Sequence, residues 1–257
     1  MDIFWYFFFT ILGLEIGSFL NVCIDRLPAG HSIVTPPSHC DSCQQRLKIR
    51  DLIPIFSYLW TRGKCRYCGA QISRRVLWVE ITAGALFALL FWKYGLTLDY
   101  AIMAFYCCIF LVILVIDLEH KLILNVIVYP MMPVALIISS LYPQPSVHQF
   151  TNALIGGAAG FFIFLLIYLL SRGGMGMGDV KMAAFIGLAA GIPGIFTAIL
   201  LAIISGGIIA ILLLLFKLKK RKEGIPFGPF LAIGAVATLL WGKPILDWYL
   251  SLFSFGL

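Results

Sequence analysis

Charge is what this chain lacks most. Only 12% of its 257 residues are Asp, Glu, Lys or Arg, about half of the roughly 25% usual in soluble domains. With 61% hydrophobic residues and a mean hydropathy of +0.98, the deficit excludes a soluble enzyme, a disordered chain and a secreted disulfide scaffold. Several hydrolase and nucleotide signatures are also missing. There is no H-E-x-x-H, no G-x-S-x-G and no phosphate loop ending in G-K-[ST], so zinc-protease, serine-hydrolase and nucleotide-site readings lose their motifs. No 20–50-residue repeat and no Gly/Ser-rich linker divides the chain. Residues 3–23 have neither a basic start nor a small-residue cleavage site, so no removable signal peptide is expected.

What is present is a series of apolar runs near the length a helix needs to cross a bilayer. They predict eight spans, at 3–24, 76–92, 98–116, 122–142, 150–171, 180–191, 195–216 and 225–248. The expected class is an all-α polytopic membrane protein in three parts: a first span (1–24), a polar loop (25–75) and a membrane core (76–257). The formal net charge of +7 invites a nucleic-acid partner, but nine basic residues fall in Arg26–Arg75 and five in Lys217–Lys222. Both clusters flank spans, where basic residues report orientation. With the N-terminus outside, 17 of the Lys and Arg lie on the inner face and two, Lys93 and Lys243, on the outer. This places the 25–75 loop in the cytoplasm.

Four of the seven cysteines occupy that loop, as Cys40-Asp-Ser-Cys43 and Cys65-Arg-Tyr-Cys68 with 21 residues between the knuckles. Paired C-x-x-C knuckles suit a tetrahedral Zn²⁺ site, and four thiolates would close the shell of a structural metal. Two disulfides or a redox motif are the alternatives; a cytoplasmic setting disfavours stable disulfides, and redox motifs seldom come as matched pairs. Gly69 supplies a tight turn after the second knuckle. Cys23, Cys107 and Cys108 lie in apolar runs and read as packing residues.

Two acids stand at the same expected membrane face. Asp117 closes the third span, and Asp179 opens the sixth after Gly173-Gly174-Met175-Gly176-Met177-Gly178. Ionisable groups near hydrocarbon depth are costly, which makes them functional candidates. The glycines permit positive φ and close backbone approach. Two carboxyls brought together share a proton, so one can activate water while the other polarises a peptide carbonyl. Topology anchors or an ion path remain open on these residues alone. His120 beside Asp117 and Glu119 allows a metal site or a juxtamembrane anchor.

At these positions the sequence resembles the type IV prepilin peptidases, bifunctional leader peptidases and N-methyltransferases of the GxGD intramembrane aspartyl protease class. The likeness rests on Gly17-Ser18-Phe19-Leu20-Asn21-Val22 with Arg26-Leu27-Pro28, on the two cysteine knuckles, and on Ile116-Asp117-Leu118-Glu119-His120. It extends to Gly176-Met177-Gly178-Asp179-Val180-Lys181 and Pro226-Phe227-Gly228-Pro229. One departure is visible, since the family usually carries Ile-Pro-Asp where this chain has Ile123-Leu124-Asn125. The resemblance implies Asp117 and Asp179 as the catalytic pair, with Gly176, Gly178 and Lys181 in support. It implies prepilin and pseudopilin substrates cut after a leader Gly, and methylation of the new N-terminus from S-adenosylmethionine. Glu15, with Ser18 and Asn21 three and six residues on, is expected to face protein, either to hold a substrate polar group or to make an interhelical hydrogen bond. The rivals are a cation-coupled transporter, a pilin-binding scaffold, and a peptidase that does not methylate.

Overall fold

The computed structural model describes residues 2–141, 150–171, 173–216 and 225–253. Among them the regular structure is helical, apart from two isolated β-bridges. In chain order the helices are α1 (Asp2–Arg26), α2 (Phe56–Trp60), α3 (Arg74–Tyr94), α4 (Leu98–His120), α5 (Asn125–Leu141), α6 (Phe150–Leu170), α7 (Met177–Leu215) and α8 (Gly228–Phe253). Six of them, α1, α3, α4, α6, α7 and α8, are long and apolar enough to cross a membrane, while α5 has 17 residues. The chain is therefore an all-α polytopic membrane protein, as expected. Residues Pro143-Gln144-Pro145, where the sequence suggests a turn, His148, Arg172 and the Lys217–Lys222 run lie outside the described residues.

The sixth and seventh expected spans form one run of 39 residues, broken inside at Gly191 (φ 62°, ψ −164°) and Ile192 (φ −99°, ψ 136°). Asn152 of α6 takes over the backbone groups that the break releases. Its amide donates to the Ile192 carbonyl at 2.9 Å, and its oxygen accepts from the Ile192 N–H at 3.0 Å. After the break the chain doubles back. A methyl on Gly160 would touch both the Ala183 carbonyl and, at 3.2 Å, Ile195 Cδ1. In an unbroken helix those two residues would stand about 18 Å apart. The third span also runs further than expected. Nothing up to His120 opposes helix, so Asp117 sits within the last turn of α4. Lys121 ends it at φ 55°, its N–H bonding the Asp117 carbonyl at 2.9 Å, which is the left-handed cap usually given to glycine.

The chain divides into two compact units, Met1–Val112 and Ile113–Leu257. In the first, α1 and α3 run antiparallel with Gly13 against Ala83 and Gly84, and Gly17 against Glu80 and Ala83. The Gly13-x-x-x-Gly17 pattern is thus a true close-packing seam. Asn21, buried at its end, donates to the carbonyls of Val76 (3.1 Å) and Gly17 (3.2 Å). Glu15 departs from expectation, being exposed rather than packed. At 100° per residue it stands about 200° from Gly13 and from Gly17, off the stripe that α3 covers.

In the second unit α6 and α7 meet through glycine. Gly187 lies backbone to backbone against Gly156 and Gly157, and Gly160 against Ala183. α8 runs antiparallel beside the later part of α7, with Gly234 against Ala198 and Gly206 against the Phe230 ring. A side chain at position 187 would collide with main chain, which cannot rotate away. Gly187→Ala is expected to cost about 3 kcal/mol, read by unfolding of the detergent-solubilised protein. Gly207, whose added methyl meets nothing within 4 Å, is the matched control and should tolerate alanine nearly unchanged.

Candidate active site and metal centre

The second unit assembles a carboxyl pair from three helix ends. Asp117 comes from the last turn of α4 and is buried, at 5% exposure. Asp179 is the third residue of α7 after its N-cap Gly176, where the helix dipole favours an anion. Its carboxyl faces back to the Gly176 N–H, an arrangement akin to half a capping box. The two carboxyls lie within electrostatic reach of each other.

Ile123 is the spacer that sets this geometry. The turn at Lys121 carries Ile123 into place, where Gly178 and Gly228 both press on it. A methyl at Gly178 would lie 2.9 Å from Ile123 Cβ, and one at Gly228 would lie 3.2 Å from its Cδ1. Close approach at Gly178 is therefore real. Gly176, at φ −82°, needs no glycine conformation, and positive φ in the run occurs at Gly173.

Gly228 opens α8 directly over the Asp117 carboxyl. Its N–H faces that group, while Asp117 Oδ2 is buried without a hydrogen-bond partner among the described residues. The sequence showed Pro226-Phe227-Gly228-Pro229 as a motif without giving it this task. A methyl at Gly228 would sit 2.5 Å from Asp117 Oδ2 and 3.0 Å from its Cγ. The carboxyl would have to swing aside. With Asp117 in the catalytic role that the sequence resemblance implies, Gly228→Ala is expected to lower turnover about 100-fold, the cost of misplacing a reacting group by about 1 Å, with little change in unfolding temperature.

Lys181, two residues past Asp179, and Asn125, two past Ile123, meet each other. Lys181 Nζ donates to Asn125 Oδ1 at 3.0 Å and lies 5.2 Å from the Tyr129 ring centre. The Asn that replaces the usual Asp thus accepts from a lysine, a role its oxygen fills without charge. Glu119 and His120 are exposed.

In the first unit, Cys40, Cys43, Cys65 and Cys68 place their four sulfurs within 4.8 Å of one another. All seven cysteines of the chain are free. Cys40 Sγ and Cys68 Sγ stand 3.8 Å apart, about the edge of a tetrahedron built on Zn–S bonds of roughly 2.3 Å. The knuckles repeat one design. Gln44 N–H bonds the Cys40 carbonyl and Cys40 N–H the Gln45 carbonyl; Gly69 and Cys65 do the same with Cys65 and Ala70. The left-handed residue of the turn is Gly69 (φ 73°) in the second knuckle and Gln44 (φ 56°) in the first.

The donor chemistry suits a cation. The Cys43 N–H, more than any other group, holds the Cys40 thiol down to about 7. At Cys68 the Ala70 N–H pulls the other way, but burial and the three neighbouring thiols prevail and push the group up to about 12. Four thiolates therefore need a positive centre between them, and the cluster could hold zinc. Beside it, burial works to raise Asp51, but the Tyr67 hydroxyl, the Lys48 N–H and Arg66 outweigh it and hold the carboxyl below the usual range. The Arg66 Nε donates to Asp51 at 2.8 Å and the Tyr67 hydroxyl at 2.9 Å.

Helices of membrane length, a carboxyl pair at their ends and a thiol cluster outside them define the class: a multi-pass membrane protein with a candidate acid–base centre and a separate metal-capable centre. Residues 103–211 match the Type IV leader peptidase family, and residues 11–94 match the Bacterial Peptidase A24 N-terminal domain. The chain is 30% identical to the prepilin leader peptidase/N-methyltransferase of Bacillus subtilis, over 94% of this chain and 96% of that one. Its identity to the proteins of the same name from Stutzerimonas stutzeri and Pseudomonas aeruginosa is 32%, over 94% and 95% of this chain and 92% and 93% of theirs. No solved structure matches it. The chain belongs to the type IV leader peptidase family and is a membrane peptidase.

Proposed function

We propose that the chain removes the leader from prepilins and pseudopilins by aspartyl hydrolysis, with Asp117 and Asp179 as the catalytic pair, and then methylates the new N-terminal amine. The observation that carries the reading is the convergence of the two carboxyls around Ile123, Gly178 and Gly228. Such a pair holds one proton between its members. The ionised carboxyl takes a proton from water as the oxygen attacks the scissile carbonyl, and the protonated carboxyl donates to the carbonyl oxygen. Collapse of the tetrahedral species returns a proton to the leaving nitrogen and frees acid and amine.

The clustering of basic residues supports an outer N-terminus, with the cysteine loop and both aspartates on the cytoplasmic side. A bond just before a substrate's own membrane helix is then within reach. Zinc on the four cysteines would be structural, fixing the loop without touching the peptide. S-adenosylmethionine is the donor that methylation requires, and no residues are assigned to its binding.

Intact-mass measurement on a prepilin-like substrate, incubated with purified protein and S-adenosylmethionine, tests the whole reading. Loss of the leader plus one methyl is expected. Cleavage without the methyl would remove the second activity, and no cleavage across several substrates would remove the first.

A further inference from the structure

The cysteine loop has an apolar side that the chain itself leaves uncovered. On α2, Phe56 is 71% exposed, Leu59 59% and Trp60 84%, and Phe56 and Trp60, four apart, share one face. Ile53 just before them is exposed as well. In a water-facing loop these side chains would be expensive, so their depth decides what they meet.

That depth is fixed by a hydrogen bond. Glu80 of α3, itself buried, accepts the Ile55 N–H at 2.8 Å. Glu80 lies six residues inside α3, about 9 Å along the axis from its start at Arg74. The α1–α3 register agrees, because Gly17 packs on Glu80 and Asn21 bonds Val76, which sets Phe19 level with Trp78. Both of these aromatics are exposed, as an interfacial belt requires. Ile55 is therefore pinned at the level of that belt or slightly below it, and the exposed side chains after it start there. Above them the loop is basic: residues 25–75 hold nine Lys and Arg against three Asp, with Arg50, Arg62 and Lys64 exposed.

We propose that residues 52–60 form an interfacial wedge, with Phe56, Leu59 and Trp60 seated among the acyl chains of the adjoining leaflet and the surrounding basic residues set against anionic headgroups. Apolar burial and basic flanks together are the chemistry by which short amphipathic segments lie in a membrane surface. The wedge makes the loop a membrane-resting element, and Glu80 is the hinge pin that holds it at that level.

The test uses the full chain with its zinc, reconstituted in phosphatidylcholine–phosphatidylglycerol vesicles, beside Trp60→Phe. The difference in their emission isolates Trp60 from the other five tryptophans. Lipid brominated near the headgroup end of its chains should quench that difference by about half or more, and aqueous acrylamide should barely affect it. Strong quenching by acrylamide with none by bromolipid would overturn the proposal. So would protection of Trp60 that arises only on adding a prepilin-like peptide, which would make the face a protein dock. Phe56→Cys, labelled with an environment-sensitive fluorophore in a background with Cys23, Cys107 and Cys108 replaced, gives a second reading that does not depend on tryptophan. A water-like emission maximum there would likewise overturn it.

Discussion

Asp179→Asn and Asp117→Asn should each lower prepilin cleavage by roughly 10³-fold or more while leaving the protein folded. Positioned acid–base groups contribute on the order of 10²–10⁴-fold each, and here one amide removes both the proton and the charge the pair must exchange. The side chains are nearly isosteric, so the packing of Gly178 and Gly228 on Ile123 survives. The discriminating control is thermal unfolding. If the acids served only as anchors, the variants would lose stability and keep their turnover in proportion to folded protein. If they formed an ion path, cleavage would persist and cation flux would fall. Normal cleavage by either variant, measured on intact substrate mass, would remove that residue from the catalytic pair.

Stripping zinc should unfold the cysteine loop and spare the membrane helices. Between 27 and 73 the buried residues are Pro54, Gly63 and Cys65, which is no core at all. Segments of this size with so little apolar burial fold on a staple, and structural zinc in small domains supplies an apparent 10–16 kcal/mol. Metal analysis should find one zinc per chain. After chelation, Cys40, Cys43, Cys65 and Cys68 should become rapidly alkylated and the loop open to protease. Helical circular dichroism should hardly change, because the loop's helical content is α2 and the short turn at Ile49–Asp51. Cys40→Ser should reproduce this in milder form and lower methylation before cleavage. A loop equally resistant to protease with and without chelator would refute the staple.

Much of this was legible in the sequence. Apolar runs located the helices, because span length is a property of consecutive residues. The knuckles announced the thiol cluster for the same reason, and the glycine run before Asp179 marked a close backbone approach, which Gly178 makes on Ile123. What stayed hidden depends on residues far apart in the chain. Periodicity says which side chains share a helix face but not which face is covered, so Glu15 was expected to face protein and is exposed. The doubling back within α7 rests on Asn152, forty residues away. Gly228 looked like part of a motif; only its approach to Asp117 shows why a side chain is refused there. Gln44 carries no mark of the left-handed turn that Gly69 advertises, yet the two hold equivalent places. The apolar side of α2 spans five residues, too few for any periodic signal.

Two of the helices that begin at the carboxyl pair are short. α5 has 17 residues, and α7 reaches its break after residues 177–190, about 21 Å against a hydrocarbon layer of roughly 30 Å. They lie side by side, joined by Lys181 and Asn125. Lipids around short helices compress to match them, drawing headgroups and their hydration inward. On the proposed reading, such thinning forms a dimple beside the carboxyl pair that would bring water down to it from the membrane surface. Thickening the membrane with longer-chain lipid would strain the dimple and starve the reaction of water before it disturbed the fold.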